Sequence, residues 1–315
     1  MFGLLREIRD LRRRGVLGMN RRNIAYISRY NERRLFPLVD NKLTTKQLAI
    51  DAGVSVPELI GVIENQHDAS SADELLRERA SFCLKPSKGS GGKGILVIRR
   101  GDDGKYLRSN GLAMSSADLR RHISNILAGL FSLGGAPDQV LIEALLECDP
   151  ALAKYSHEGV PDLRLILFRG VPVMAMIRLA CAASNGKANL HQGAVGVGIA
   201  IRDGVAVHAV QNDVRVTHHP DTGLDLGELF IPQWQEMLEL GCNCADMTGL
   251  GYLGVDLVLD KNLGPALLEL NARPGLSIQI ANGAGLLPRL RSVEAIRNPA
   301  RMSVAERVAF AQAQF

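Results

Sequence analysis

Aromatic side chains are scarce in this 315-residue chain, at 4% with a single tryptophan. Apart from Tyr26 and Tyr30, none is interleaved with the N-terminal basic residues. No nucleic-acid-binding motif is present, so nucleic acid is not expected as a partner. Cysteines number five, an odd count, at scattered positions 83, 148, 181, 242 and 244. That excludes a disulfide framework and fits a reducing cytoplasm. Cys242 and Cys244 form a C-x-C with no second pair nearby, which argues against zinc. No apolar run reaches the roughly 18 residues of a transmembrane helix. The opening MFGLLREIRDLRRRG carries charge throughout, unlike a secretory signal. Repeats and low-complexity stretches are missing too. What is present is an ordinary globular mix, 46% hydrophobic and 22% charged, which rules out chain-wide disorder. The 32 glycines point to tight loops or close backbone contacts with a ligand.

Charge is uneven. Residues 1–34 hold ten arginines against Glu7, Asp10 and Glu32, a balance of +7, so the other 281 residues sum to −3 of the net +4. Leu4, Leu5, Ile8 and Leu11 sit at near-helical spacing, predicting a basic amphipathic helix. It either docks on the body with a solvated face or meets an anionic partner or membrane surface.

Downstream, the pattern predicts a helix over 44–52 stopped at Gly53, and another over 73–80. Strands are expected at 81–86 and 94–100, with the glycine loop SKGSGGKG between them. A helix at 115–133 and a buried strand starting at 139 follow. LRLILF and VPVMAMIRLA read as a hairpin around Arg169–Gly170, and GYLGVDLVLD and PALLELN as a second around 261–264. Helices are expected at 225–248 and beyond 285. The class is α+β with antiparallel hairpins.

The second hairpin carries the strongest chemical signal. With the turn midpoint between Asn262 and Leu263, Asp256 faces Glu269 across the strands. Asn271 shares their face. Two carboxylates so placed repel by up to about 1 kcal/mol. A hard divalent cation relieves this, and two carboxylates with an amide suit magnesium; a solvated acidic patch is the plainer alternative. Lys85 ends a strand before Lys88, Gly89, Ser90, Gly91, Gly92, Lys93 and Gly94. Such a loop can close over phosphates, though it is not a Walker P-loop. In QVLIEALLE, apolar residues suit an adenine sandwich and Glu147 a ribose. On the first hairpin Asp162 and Arg164 share a face, which Arg178 joins only if the turn holds an odd number of residues. Converging arginines suit a carboxylate or phosphate. Lys187, Asn189 and His191 alternate along NGKANLHQG.

In this order the motifs resemble the ATP-grasp superfamily. DLRLILFRGVPVMAMIR, KANLHQGA and GVDLVLDKNLGPALLELNARPGL are similar to segments of the RimK-like α-L-glutamate ligases. GVLGMNRRNIAYISRYNERR resembles a divergent sugar-transfer-associated group. The resemblance implies two α+β lobes with ATP between them: a basic helical segment at 1–40, a small lobe with linker helix at 41–145, and a large lobe at 146–315. It implies that Lys42 and Lys85 contact phosphates and that residues 88–94 close over them. Glu143, Ala144 and Leu145 would form the adenine hinge, and Glu147 would bind ribose. Asp256, Glu269 and Asn271 would hold two magnesium ions, or manganese. Arg178, with Arg164, Lys187 and Asn189 nearby, would stabilise the transferring phosphoryl group or the later tetrahedral intermediate. Three departures stand out: a helical, basic segment at 1–40 where typical members have an α/β domain, Ala194 where the pattern has a second glycine, and Arg273, able to read an acidic substrate, where a small residue is usual.

The implied function is an ATP-dependent carboxylate–amine ligase joining an amino acid, peptide or protein terminus through an acylphosphate. A kinase of a small metabolite or sugar-linked hydroxyl, and a non-catalytic nucleotide-binding protein, are the alternatives. A homodimer is compatible with the resemblance.

Overall fold

The computed structural model describes residues 9–70, 72–89, 91–101, 104–108 and 111–315. Ser90, and Leu4, Leu5 and Ile8 of the expected N-terminal helix, lie outside the described residues. The chain divides into two compact units. The smaller comprises Asn41–Gln47 and Val56–Leu146. The larger comprises residues up to Asp40, Leu48–Ser55 and Glu147–Phe315.

The smaller unit is built on strands β1 (Leu59–Ile63), β2 (Ser81–Pro86), β3 (Leu96–Arg100), β4 (Tyr106–Arg108), β5 (Ala113–Met114) and β6 (Val140–Glu143). They form one antiparallel sheet in the order β1-β6-β2-β3-β4-β5. Strand alternation sorts the side chains. Phe82, Leu84, Ile98, Val140 and Ile142 enter a core with Leu119, Ile123 and Ile126. Those three lie on α2 (Ser116–Leu127), which starts at a capping box between Ser115 and Asp118. Cys83, Lys85, Leu141 and Glu143 are left on the opposite face by the same alternation. The first residues of α1 (Lys42–Asp51) also belong to this unit.

In the larger unit, β7 (Asp162–Phe168), β8 (Val171–Leu179), β9 (Val195–Ile199), β10 (Ala206–Gln211), β11 (Val214–Arg215), β12 (Tyr252–Asp260) and β13 (Gly264–Asn271) form an antiparallel sheet. Its order is β11-β10-β9-β8-β7-β12-β13. Leu163, Leu165, Val255 and Leu257 are buried on one face. Helix α3 (Trp234–Thr248) packs there, close enough that a Cβ on Gly241 would stand 2.8 Å from Leu165 Cδ1. It starts later than its sequence pattern suggests, because Pro232 precedes Gln233, whose φ of 52° is left-handed. Cys242 and Cys244 are buried on this helix, and all five cysteines are free. Helix α4 (Val304–Gln314) packs against α3 and β8.

The N-terminal segment is stitched to the larger unit. Asn31 Nδ2 donates to Tyr252 O (2.8 Å) and its Oδ1 accepts from Tyr252 N (2.7 Å). Buried Arg22 donates to Pro274 O at 2.6 Å. Tyr26 and Tyr30 meet Phe168 edge-on at 5.4 and 4.8 Å, so two of the few aromatics are spent on this docking. Arg9, Arg12, Arg14 and Arg21 remain exposed. Among the described residues, no helix is long and apolar enough to cross a membrane.

Candidate functional site

On the larger sheet, Asp256 pairs with Glu269 and Gly254 with Asn271, so all three candidate metal-binding side chains share one face. The hairpin reaches this register indirectly. Its inner pair is Asp260 with Gly264, offset by one residue, and a bulge at Leu268 restores the outer pairing. The neighbouring hairpin uses the same device. Its turn, Arg169–Gly170, holds two residues, an even number. A bulge at Val173 supplies the extra one and sets Arg178 opposite Asp162. β7 in turn pairs Arg164 with Asp256. Two bulges thus gather Asp162, Arg164, Arg178, Asp256, Glu269 and Asn271 on one face.

Their contacts form a buried network. Arg164 grips Asp256 through both oxygens, Nε to Oδ1 at 2.7 Å and Nη2 to Oδ2 at 2.5 Å. Arg178 Nη2 donates to Asp256 Oδ2 at 2.9 Å and also to Asp162 Oδ2. Asn271 Nδ2 lies 3.4 Å from Asp256 Oδ2. Asp256 is 2% exposed. Burial alone would raise its pKa, but the guanidiniums of Arg164 and Arg178 prevail and hold it at about 2. Asp162 goes the other way, because burial dominates and the Asp256 charge adds to it, and Arg178 only partly compensates. Arg178 is pushed up, as the two aspartates outweigh its own burial.

The residues on this face fit a hard divalent cation. Asp256 Oδ1 accepts a single hydrogen bond and retains acceptor capacity. Asn271 turns its amide nitrogen toward Asp256, leaving its oxygen on the other side. Two buried polar atoms here, Asp162 Oδ1 and Arg178 Nε, have no hydrogen-bond partner. Among the described residues no group of three His, Cys, Asp or Glu could hold a metal. A cation would therefore be held by two carboxylates and an amide, completed by phosphate or water oxygens, which is magnesium's habit.

The segment 185–193 follows β8. Asn189 Oδ1 accepts from His191 N at 3.0 Å and so caps a short 3-10 turn. Lys187 and His191 are exposed. Arg273 lies 4.7 Å above the Phe36 ring. Glu147 pairs with Lys261, and its N–H donates to Asp260 Oδ2 at 2.6 Å.

The smaller unit gathers the lysines. Glu143 and Lys85 are diagonal neighbours, since Cys83 pairs with Glu143 and Lys85 with Leu141. Lys85 Nζ is 2.5 Å from Glu143 Oε2. Lys46, which sequence reasoning missed, reaches Glu143 Oε1 at 2.8 Å and Pro57 O at 2.5 Å. Burial pulls the Lys46 pKa down while Glu143 pushes it back up. Burial works on Glu143 in the opposite sense, yet Lys85 and Lys46 hold its pKa below the usual range. Cys83, on the same face, is pushed up to about 11 by burial, so it stays a neutral thiol. The four-residue spacing of Lys42 and Lys46 was the available signal, as it sets both on one helix face. Lys42 Nζ donates to Gly89 O at 2.5 Å. Asp138 accepts from Lys88 N at 3.0 Å and fixes the root of the glycine loop. At Gly91 and Gly92, φ is 62° and 73° and an added Cβ would meet nothing within 4 Å. Backbone conformation, not crowding, requires glycine there. Ala144, expected from the resemblance to lie in the adenine hinge, donates its N–H to Glu58 O.

A six-stranded and a seven-stranded antiparallel sheet, the first with a glycine loop and buried lysines and the second with a carboxylate hairpin, define the ATP-grasp class. Residues 21–295 match the sugar-transfer associated ATP-grasp family, and the chain belongs to it. Among solved structures, the biotin carboxylase of Campylobacter jejuni, in complex with β-γ-ATP, aligns with a TM-score of 0.52 and 16% identity over 86% of this chain and 49% of that one. The biotin carboxylase domain of Hydrogenobacter thermophilus 2-oxoglutarate carboxylase, with MgADP and bicarbonate, gives 0.51 and 16% over 86% and 48%. The ATP-grasp ligase PsnB, solved with its minimal precursor, gives 0.47 and 16% over 84% and 61%. The chain thus spans about three fifths of the length of PsnB and about half that of the carboxylases. The likeness to the two carboxylase structures is one of fold. No curated protein sequence matches the chain.

Proposed function

We propose that the chain is an ATP- and magnesium-dependent carboxylate–amine ligase acting through an acylphosphate, on an amino acid, a peptide or a protein terminus. The observation that carries this reading is the Asp256–Glu269–Asn271 face joined to two partly buried arginines. Family membership supports it, as do the adenine nucleotides held by the two biotin carboxylase structures.

A carboxylate oxygen of the first substrate attacks the γ-phosphorus, the bond to the bridging oxygen breaks, and ADP leaves. The amine of the second substrate then attacks the acyl carbon. The carbon–oxygen bond to phosphate breaks, the amine proton goes to solvent or phosphate, and an amide remains. Such transfer needs positioning and charge neutralisation more than a protein nucleophile. Lys42 and Lys85 offer positive charge to phosphate oxygens. Residues 88–94 cover the acylphosphate and keep water from it. Arg178 Nε is a donor with no hydrogen-bond partner, available for the oxygen gaining charge. Asp256, Glu269 and Asn271 would hold the cation, which neutralises phosphate charge when bound. Asp162 and Arg164 keep Arg178 and Asp256 aligned.

The test is ADP and phosphate release with ATP and magnesium across a panel of amino acids and short acidic peptides, beside Glu269→Gln. The proposal expects amine-dependent phosphate release and a mass gain in one panel member, both lost in the variant. A phosphorylated product with no amine requirement would replace it with the kinase reading.

A further inference from the structure

The glycine loop between β2 and β3 is held at both ends by one stretch of chain. At the near end, Lys88 N donates to both oxygens of Asp138, at 3.1 and 3.0 Å. Ser87 N donates to Gln139 O at 3.0 Å, and Gly89 forms a bridge with Ser132. At the far end, His122 Nε2 meets Gly94 O at 3.0 Å. Gly94 has a φ of 76°, and a Cβ there would stand 2.6 Å from Phe131 Cγ. His122 lies on α2, and residues 128–139 connect α2 to β6. Between the two fastened ends, Gly91, Gly92 and Lys93 are exposed.

Asp138 is the centre of this fastening. It is 3% exposed. Besides Lys88 N it accepts from Ser132 Oγ at 2.5 Å and Gln139 N at 2.8 Å. Burial alone would raise its pKa, but the hydrogen bonds prevail and hold it below the usual range. A buried carboxylate is costly without such donors, so Asp138 and the root of the loop order one another. Ordering a loop at the moment of binding costs affinity, and a loop ordered beforehand avoids part of that cost. We propose that Asp138 is a positioning residue for the nucleotide: it hangs the glycine loop on the 128–139 connection, so that the amides beyond Gly89 are presented to phosphate already placed. It does this without touching the nucleotide. This rests on the nucleotide reading above and deepens it, since it assigns part of the affinity for polyphosphate to the order of the loop root.

The first measurement needs no variant. Amide hydrogen exchange of the full chain without nucleotide is followed residue by residue and corrected for intrinsic rates. The Lys88 amide is expected to exchange on the order of tenfold more slowly than that of Gly92. Binding of the ATP analogue AMPPNP with magnesium is then measured by calorimetry. Asp138→Ala removes every acceptor at the root and is expected to weaken binding on the order of tenfold. Asp138→Asn can set its oxygen at the Oδ1 position, keep Lys88 N and Gln139 N, and donate to a rotated Ser132 hydroxyl. It is expected to bind as the unaltered chain does. A merely structural carboxylate would change the melting temperature and leave the affinity of the folded protein as it was. Unaltered binding in an Asp138→Ala chain folded by circular dichroism therefore overturns the proposal. So does a folded Asp138→Asn as weak as Asp138→Ala. Exchange at Lys88 as fast as at Gly92 overturns it whether or not the variants fold. An unaltered chain that binds no AMPPNP overturns the nucleotide reading and this inference with it, whereas fast exchange at Lys88 in a chain that binds AMPPNP overturns this inference alone.

Discussion

On the larger sheet, Asp162 and Asp256 meet Arg164 and Arg178; on the smaller, Glu143 alone meets Lys46 and Lys85. Each group has buried carboxylates on one face of its sheet, and both are joined by close ion pairs. They differ in how the carboxylate is shared. On the larger sheet Asp256 Oδ2 accepts from three donors, and Glu269 stands beside it on the same face. On the smaller, Glu143 offers one oxygen to each of two lysines. Neither arrangement is a cheap source of stability, because desolvation offsets much of the attraction in any buried pair. The arginine group fixes Asp256 through both of its oxygens, whereas the lysine row holds Glu143 between two separate elements, a helix and a strand.

Breaking the arginine group should have the largest effect. Asp256→Asn leaves two buried guanidiniums with one carboxylate between them. We expect a loss of about 3–5 kcal/mol in urea unfolding together with the loss of turnover. Glu269→Gln separates function from stability. It removes a metal-binding carboxylate from the edge of the group and relieves its repulsion with Asp256. Activity should fall on the order of 100-fold, while stability stays within about 1 kcal/mol of the unaltered chain. A comparable stability loss in both variants would show that the two carboxylates belong to one structural unit.

The lysine row sharpens the contrast through Lys46→Met, where stability should hold, since a buried charge is exchanged for an apolar chain of similar length and Glu143 keeps Lys85. A marked fall in the melting temperature would contradict that. The smallest effect is in pH dependence. Glu143 has a depressed pKa, so its stabilising contribution is complete above the unfolded value of about 4.3 and is lost as pH falls below it. Lys46 has linkage of the same sign in a higher pH window. Its pKa is lowered, so its share of stability grows as pH rises toward the usual lysine value. Urea midpoints measured from neutral pH downward should therefore drop more steeply for the unaltered chain than for Glu143→Gln.

How much of this could be read from sequence depends on the range of the cause. The β12–β13 hairpin declared itself because its two strands are adjacent in sequence and their pattern has period two. The pairing of Asp256 with Glu269 was foreseen from a symmetric turn; in fact an offset turn and the bulge at Leu268 combine to give the same register. Whether Arg178 joined its face hung on the parity of the turn, and the bulge at Val173 decided it. β9 was overlooked because Gly196 and Gly198 give it the look of a loop. Those glycines face the Ile278–Asn282 helix, where a Cβ on Gly198 would come within 2.5 Å of Ala281 O. No local pattern carries that information. The docking of Arg22 onto Pro274 and of Asn31 onto Tyr252 spans more than two hundred residues and was equally invisible. Lys46 was legible in principle, four residues after Lys42, but its partner Glu143 comes from a strand almost a hundred residues away.

The central claim is that a substrate carboxylate is activated by phosphorylation on the Asp256–Glu269 face. The most direct measurement uses that carboxylate labelled with oxygen-18, in whichever panel substrate gains mass, with mass spectrometry of the released phosphate. The account predicts one labelled oxygen in each phosphate released and one retained in the amide product. Phosphate free of label, with both labelled oxygens still on the substrate, would contradict it.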